Sequence, residues 1–142
     1  MLVDTERYSK LLEKVNLLLP PADLSGLSDD DAKKYQDVRK SVVSYALSKV
    51  IWDVSNYTNI PIDELPSALD YTVVDMTVQV IQTHDYLALS KGEDAGSDVQ
   101  SLSEGDTSIT FKSKADVYAS LQQINTISDN YTNILNNFRV VV

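Results

Sequence analysis

Side chains equipped for chemistry are scarce in this sequence. His84 is the single histidine and there is no cysteine, so thiolate nucleophiles and structural disulfides are excluded, and a metal site would have to be built from carboxylates around one imidazole. Base-activated hydroxyls need a base beside them, and acid-base work needs two carboxyl groups held in one cleft. Asp70 and Asp75 lie five residues apart in a stretch of helical spacing, which places them on different faces. Gly92 to Ser97 lacks the lysine of a phosphate-binding loop, and the acidic residues around it do not supply the alternating oxygens and twelfth-position glutamate of a calcium loop. The expectation is a protein that is not an enzyme and takes no metal and no cofactor, with His84 as a partly buried structural residue.

Charge is distributed unevenly. The net charge of −9 does not come from residues 1–49, where eight acidic and eight basic side chains balance. Residues 50–90 hold Asp53, Asp63, Glu64, Asp70, Asp75 and Asp85 with no lysine or arginine. An acidic surface repels a phosphate backbone, and no basic patch interleaved with aromatics is visible, so tight or sequence-specific nucleic-acid binding is not expected. The N-terminal residues lack a basic segment followed by an apolar core, and no run of about 18 apolar residues occurs. Neither secretion by a standard signal nor a membrane span is expected.

The elements that must carry these residues follow from periodicity. At 142 residues the chain reads as one domain, spanning residues 1–142. Tyr8, Leu11, Leu12, Val15, Leu18 and Leu19 fall at three- and four-residue steps and predict an amphipathic helix stopped by Pro20-Pro21. Ser28 followed by three aspartates reads as a cap and acidic first turn. Behind it Tyr35, Val38, Val42, Ala46, Val50, Val54 and Tyr57, widened by Val43, Leu47 and Ile51, predict a long helix over about 29–57. Trp52 lies off that stripe and is a candidate for a second contact surface. Ile60-Pro61 and Leu65-Pro66 break the pattern, Pro66 suits the first position of a new helix, and a third helix is predicted to about residue 89, antiparallel to the second. These three helices make a core over residues 4–89.

Residues 90–98 read as a mobile loop. Thr107, Ile109 and Phe111 then alternate with Ser108 and Thr110, with Glu104-Gly105-Asp106 as a turn, so a β-hairpin is predicted over 99–111. Such a hairpin is marginal alone and must pack on the helices or pair with another chain. A last helix over 116–138 is predicted from Val117, Leu121, Ile124, Ile127, Tyr131, Ile134 and Phe138. The residues after it, Arg139 to Val142, form a β-branched tail that frays or is held by a partner. The fold class expected is mainly α, a small bundle of three to four helices with a short β-hairpin inserted before the C-terminal helix.

This order of elements resembles that of the head-tail connector (adaptor) proteins of tailed bacteriophages over nearly the whole chain. The likeness is carried by Leu11-Leu12, Val15 and Leu18-Leu19-Pro20, by Ile60-Pro61 and Leu65-Pro66, and by Ser103-Glu104-Gly105-Asp106-Thr107-Ser108-Ile109-Thr110-Phe111. The resemblance implies a structural virion protein, assembled in the host cytoplasm. It would dock as a ring, typically dodecameric, beneath the portal protein, extend the DNA exit channel, and join the head to the next neck component, a stopper or tail terminator. On that expectation Leu102, Glu104, Gly105, Asp106, Ile109 and Phe111 contact a neighbouring subunit or neck protein. Phe138, Arg139, Val140, Val141 and Val142 contact the portal, and Asp70, Asp75 and Asp85 face the channel, where genomic DNA passes without specific binding. A competing class is an acidic helical regulatory or DNA-mimic protein that binds a basic host protein.

Overall fold

The computed structural model describes residues 5–21, 24–84, 86, 90–91, 99–101, 109–112 and 114–141. Five α-helices organise them: α1 (Thr5–Leu18), α2 (Asp29–Thr58), α3 (Asp70–Thr83), α4 (Lys114–Gln123) and α5 (Asp129–Asn136). Helix α2 is the axis. Its thirty residues contain no glycine or proline and extend for about 45 Å. Ser28 caps it, its Oγ accepting a hydrogen bond from the Asp31 amide at 3.1 Å, while Asp29 and Asp30 favour the positive helix end. It stops at Asn59, which takes the left-handed conformation with φ 61°, a geometry that asparagine tolerates better than a branched residue.

The wide stripe read on α2 is buried as such. Tyr35, Val42, Val43, Ala46, Leu47, Val50, Ile51 and Val54 are all sealed from solvent, and α1, α3, α4 and α5 each pack against this helix. From α1 come Leu11, Val15 and Leu19, and from α3 come Val73, Val74, Met76, Val80 and Ile81. Burying each such side chain stabilises the fold by about 1.5–3 kcal/mol. Tyr8 fixes the α1 crossing, its hydroxyl 2.7 Å from Ser44 Oγ. Between α2 and α3 the two prolines leave two 3-10 turns, Ile62–Glu64 and Ser67–Leu69, pinned by buried Ile62, Leu65 and Leu69.

The expected fold class is overturned in two respects. There are five helices among the described residues rather than three to four, and the extended segments do not make an isolated two-stranded hairpin. They are three short pieces, β1 (Ser90–Lys91), β2 (Val99–Ser101) and β3 (Ile109–Lys112), with β3 central and antiparallel to both others. Val99 faces Lys112 on one side, and Ser90 faces Thr110 on the other. The physical reason is the one that makes a lone hairpin marginal: β3 fills both backbone edges with neighbours instead of one. Ser90 and Lys91 therefore belong to a strand rather than to the loop read over 90–98, whose remaining residues lie outside the described ones.

Two helix boundaries also differ. The third helix does not reach residue 89. It starts as α-helix only at Asp70, after Pro66 in extended conformation and the 3-10 turn, and it ends at Thr83, where the His84 amide closes on Val80 O and the Tyr86 amide on Ile81 O. Tyr86 then dives inward, its hydroxyl 2.6 Å from Ser120 Oγ on α4. His84, expected to be partly buried, is exposed and stacks on the Tyr86 ring at 5.2 Å.

The last predicted helix is two. Between α4 and α5 the chain leaves helical geometry over 124–128 because Thr126 is buried and donates to Asp53 Oδ2 on α2 at 2.7 Å. Lys49 holds the other oxygen of Asp53 at 3.0 Å, and the Asn125 side chain accepts from the Ile127 amide at 3.0 Å, an Asx turn that competes with helix. The break shifts the helical phase of the residues beyond it. A continuous helix would bury Ile134, whereas α5 buries Leu135 and leaves Ile134 exposed.

Candidate functional site

The C-terminal tail, expected to fray or to be held by a partner, is bonded to the chain's own helix α2 through Val140. After α5, Phe138 is half-buried against the core. The Val140 amide donates to Thr58 O at 2.7 Å, and Asn59 Nδ2 donates to Val140 O at 2.9 Å. The end of α2 thus receives the tail as a short extended tie. Tyr57 strengthens it, with its hydroxyl donating to Asn136 Oδ1 at 2.7 Å and its ring 5.2 Å from the Arg139 guanidinium. Past this tie the side chain of Val141 is 93% exposed. Val142 lies outside the described residues.

Of the three acidic residues expected to face a channel, Asp70 and Asp75 are described, and they are engaged separately. Asp70 is engaged at the other end of the linker, where Arg7 Nε reaches its Oδ1 at 3.0 Å and Nη2 reaches the same oxygen. The guanidinium also donates to Leu65 O at 2.8 Å and Pro66 O at 3.1 Å, so Arg7 ties α1 to the linker and to the start of α3. Asp75 is exposed on α3 and turned toward α5, where burial and, after it, the Asp75 carboxylate push the Tyr131 phenol above its ordinary value. Asp85 lies outside the described residues, as do Leu102, Glu104, Gly105 and Asp106. Ile109 and Phe111 belong to the central strand β3.

A face that periodicity did not single out lies on α1. Glu6, Arg7, Lys10, Leu11 and Lys14 line an open groove of about 390 Å³ whose far wall is Ser67 and Asp70. The Lys14 ammonium stands 4.6 Å from the centre of the Tyr71 ring. Leu17 and Leu18, at the end of α1, are 77% and 54% exposed, and Tyr71 is 69% exposed. Leu18 was expected on the buried stripe, but α1 ends there and only Leu19 turns under. The signal that could have found this patch is Leu17, a large apolar residue off the stripe. Trp52, also off its stripe, is about half exposed.

Among the described residues no cluster of histidine, cysteine, aspartate or glutamate is arranged to hold a metal ion, and no helix is long and apolar enough to cross a membrane. Comparison with protein-family models, with curated proteins and with solved structures finds no match. What the geometry offers is surface: an apolar end tied down at its base, and a basic-apolar helix face.

Proposed function

We propose that this protein is a structural subunit of the neck of a tailed bacteriophage, docking as a ring on the portal, extending the DNA exit channel and joining the head to the next neck component. The sequence resemblance suggests the class, and one observation carries the reading: the β-branched end is tied to α2 at Thr58 and Asn59 and so presented outward at Val141. Ordering an exposed apolar end costs conformational entropy and is useful where a partner covers it. In this reading Phe138, Arg139 and Val140 hold the tail, Val141 contacts the portal, and the acidic excess lets DNA pass without sticking.

The test is electron microscopy and co-sedimentation of the protein with purified portal rings. Added ring density is expected with the native chain and its loss with Val141→Asp, a substitution at so exposed a position that the fold is untouched. Undiminished decoration by Val141→Asp would refute the tail contact. Failure of the native chain to bind portal, together with capture of a basic host protein, would replace the connector with the DNA-mimic reading.

A further inference from the structure

Helices α4 and α5 are two pieces of one helical pattern. Residues 114–138 contain no glycine or proline, and their apolar stripe keeps helical steps from Val117 to Phe138 straight through the break. What holds the break lies outside the pattern, on α2, where Asp53 Oδ2 accepts from Thr126 at 2.7 Å. The break also leaves a polar group without a partner. Ser128 stands at the N-cap of α5 with no side-chain cap bond, and among the described residues its Oγ is enclosed and unbonded, a costly state for a hydroxyl.

A continuous helix would serve both hydroxyls. Buried Thr58 and Thr77 show how, donating to Val54 O and Val73 O, four residues earlier, each at 2.8 Å. In the same geometry Thr126 reaches Gln122 O and Ser128 reaches Ile124 O, while Asp53 keeps Lys49 on its other oxygen. The broken form is held by Asp53 and the tail tie; the straight form exchanges them for bonds within one helix.

The two forms place the C-terminal end differently. Tyr118 stacks on Tyr45 at 4.5 Å and Thr126 meets Asp53 eight residues further along both chains, so α4 and α2 run side by side in the same direction. Beyond that point the rises no longer match. Tyr57 lies about 6 Å past Asp53, whereas in a straight helix its partner Asn136 would lie about 15 Å past Thr126. The Tyr57 bond to Asn136 and the Val140 tie to Thr58 therefore need the break, and a straight helix carries the end beyond α2.

We propose that residues 124–128 form a two-state hinge latched by Thr126 and Asp53. Latched, the C-terminal end is tied to α2; released, α4 and α5 join over 114–136 and the end projects past it. The hinge belongs to a single chain and does not rest on the neck reading. Because the chain has no cysteine, Asn56→Cys and Asn137→Cys, both at exposed positions, can be spin-labelled, and pulsed dipolar spectroscopy reads the distance from α2 to the end of α5.

The otherwise native chain should give one short distance. Thr126→Ala should shift the ratio of a longer distance to the short one about tenfold or more toward the longer, and should raise the far-ultraviolet helix signal. Adding Ser128→Pro, which suits the extended N-cap with φ −84° but bars a helix running through it, should return the short distance. A Thr126→Ala chain that keeps the short distance, or that loses helix signal, overturns the hinge, and so does a double variant that keeps the longer one.

Discussion

Replacing Arg7 with alanine should be costly for a change at a partly exposed position. The guanidinium joins three elements, with its Nε and Nη2 on Asp70 and its Nη1 and Nη2 on Leu65 O and Pro66 O. The Arg7 and Asp70 side chains are 26% and 22% exposed, so their ion pair lies above the median for surface pairs and well below that for a buried one, at about 1 kcal/mol. Leu65 O loses a charged donor where its residue is buried, which costs about 1–2 kcal/mol. Pro66 O loses less, because the Leu69 amide still donates to it at 3.0 Å.

The total is about 2–3 kcal/mol, and at about 3 °C per kcal/mol for a chain of this size the melting temperature should fall by about 6–9 °C. Urea unfolding followed by circular dichroism reads the loss as a lower midpoint at constant slope. The decisive comparison is Asp70→Asn, which leaves both carbonyl contacts in place and should cost only about 1 kcal/mol. Equal losses in the two variants would show that the ion pair is the whole effect and that the carbonyl ties contribute nothing.

Two further outcomes concern the ends of the helices. Asn59→Ala should lose about 1–2 kcal/mol, from the positive φ and from the bond to Val140 O, whereas Asn59→Gly should lose less because only the side-chain bond goes; equal losses in denaturant titrations would contradict the backbone contribution. For Tyr131, burial first and Asp75 second raise the phenol pKa in the folded state. The native state therefore keeps its proton where the unfolded chain has lost it, so this contribution is complete below the unfolded value and disappears as pH rises through the folded one. Tyr131→Phe should flatten the alkaline loss of stability, and Asp75→Asn should lower the phenol pKa toward its ordinary value; an unshifted tyrosinate absorbance titration would contradict both.

The helical core was legible because its information is periodic. Ten apolar positions on α2 keep two adjacent three- and four-residue stripes over thirty residues without glycine or proline, and burial follows them, with only Val38 and Tyr57 half exposed at the margins. Capping by Ser28, the stop at Pro20 and the breaks at Pro61 and Pro66 are local chemistry that a single sequence carries. The third strand was not legible: Ser90 and Lys91 have no alternation of their own and become extended by pairing with β3, eighteen or more residues away. Nor was the end of α3, which depends on Tyr86 finding Ser120.

The C-terminal third shows why the candidate surface was harder to read than the core. The apolar stripe from Val117 to Phe138 is consistent with one helix, and propensity alone would keep it so. A single long-range bond, Thr126 to Asp53, outweighs that propensity because Thr126 is buried and its hydroxyl would otherwise be unsatisfied, a cost of about 1–3 kcal/mol against a few tenths per residue for helix preference. Once the helix is broken there, α5 rotates to bury Leu135, Ile134 turns outward, and the chain arrives at the end of α2 in position to tie Val140 to Thr58 and Asn59. The outward presentation of Val141 is therefore a consequence of Asp53, far earlier in the chain. Surfaces made this way carry no periodic trace, and the residues that create them are the polar ones buried beneath.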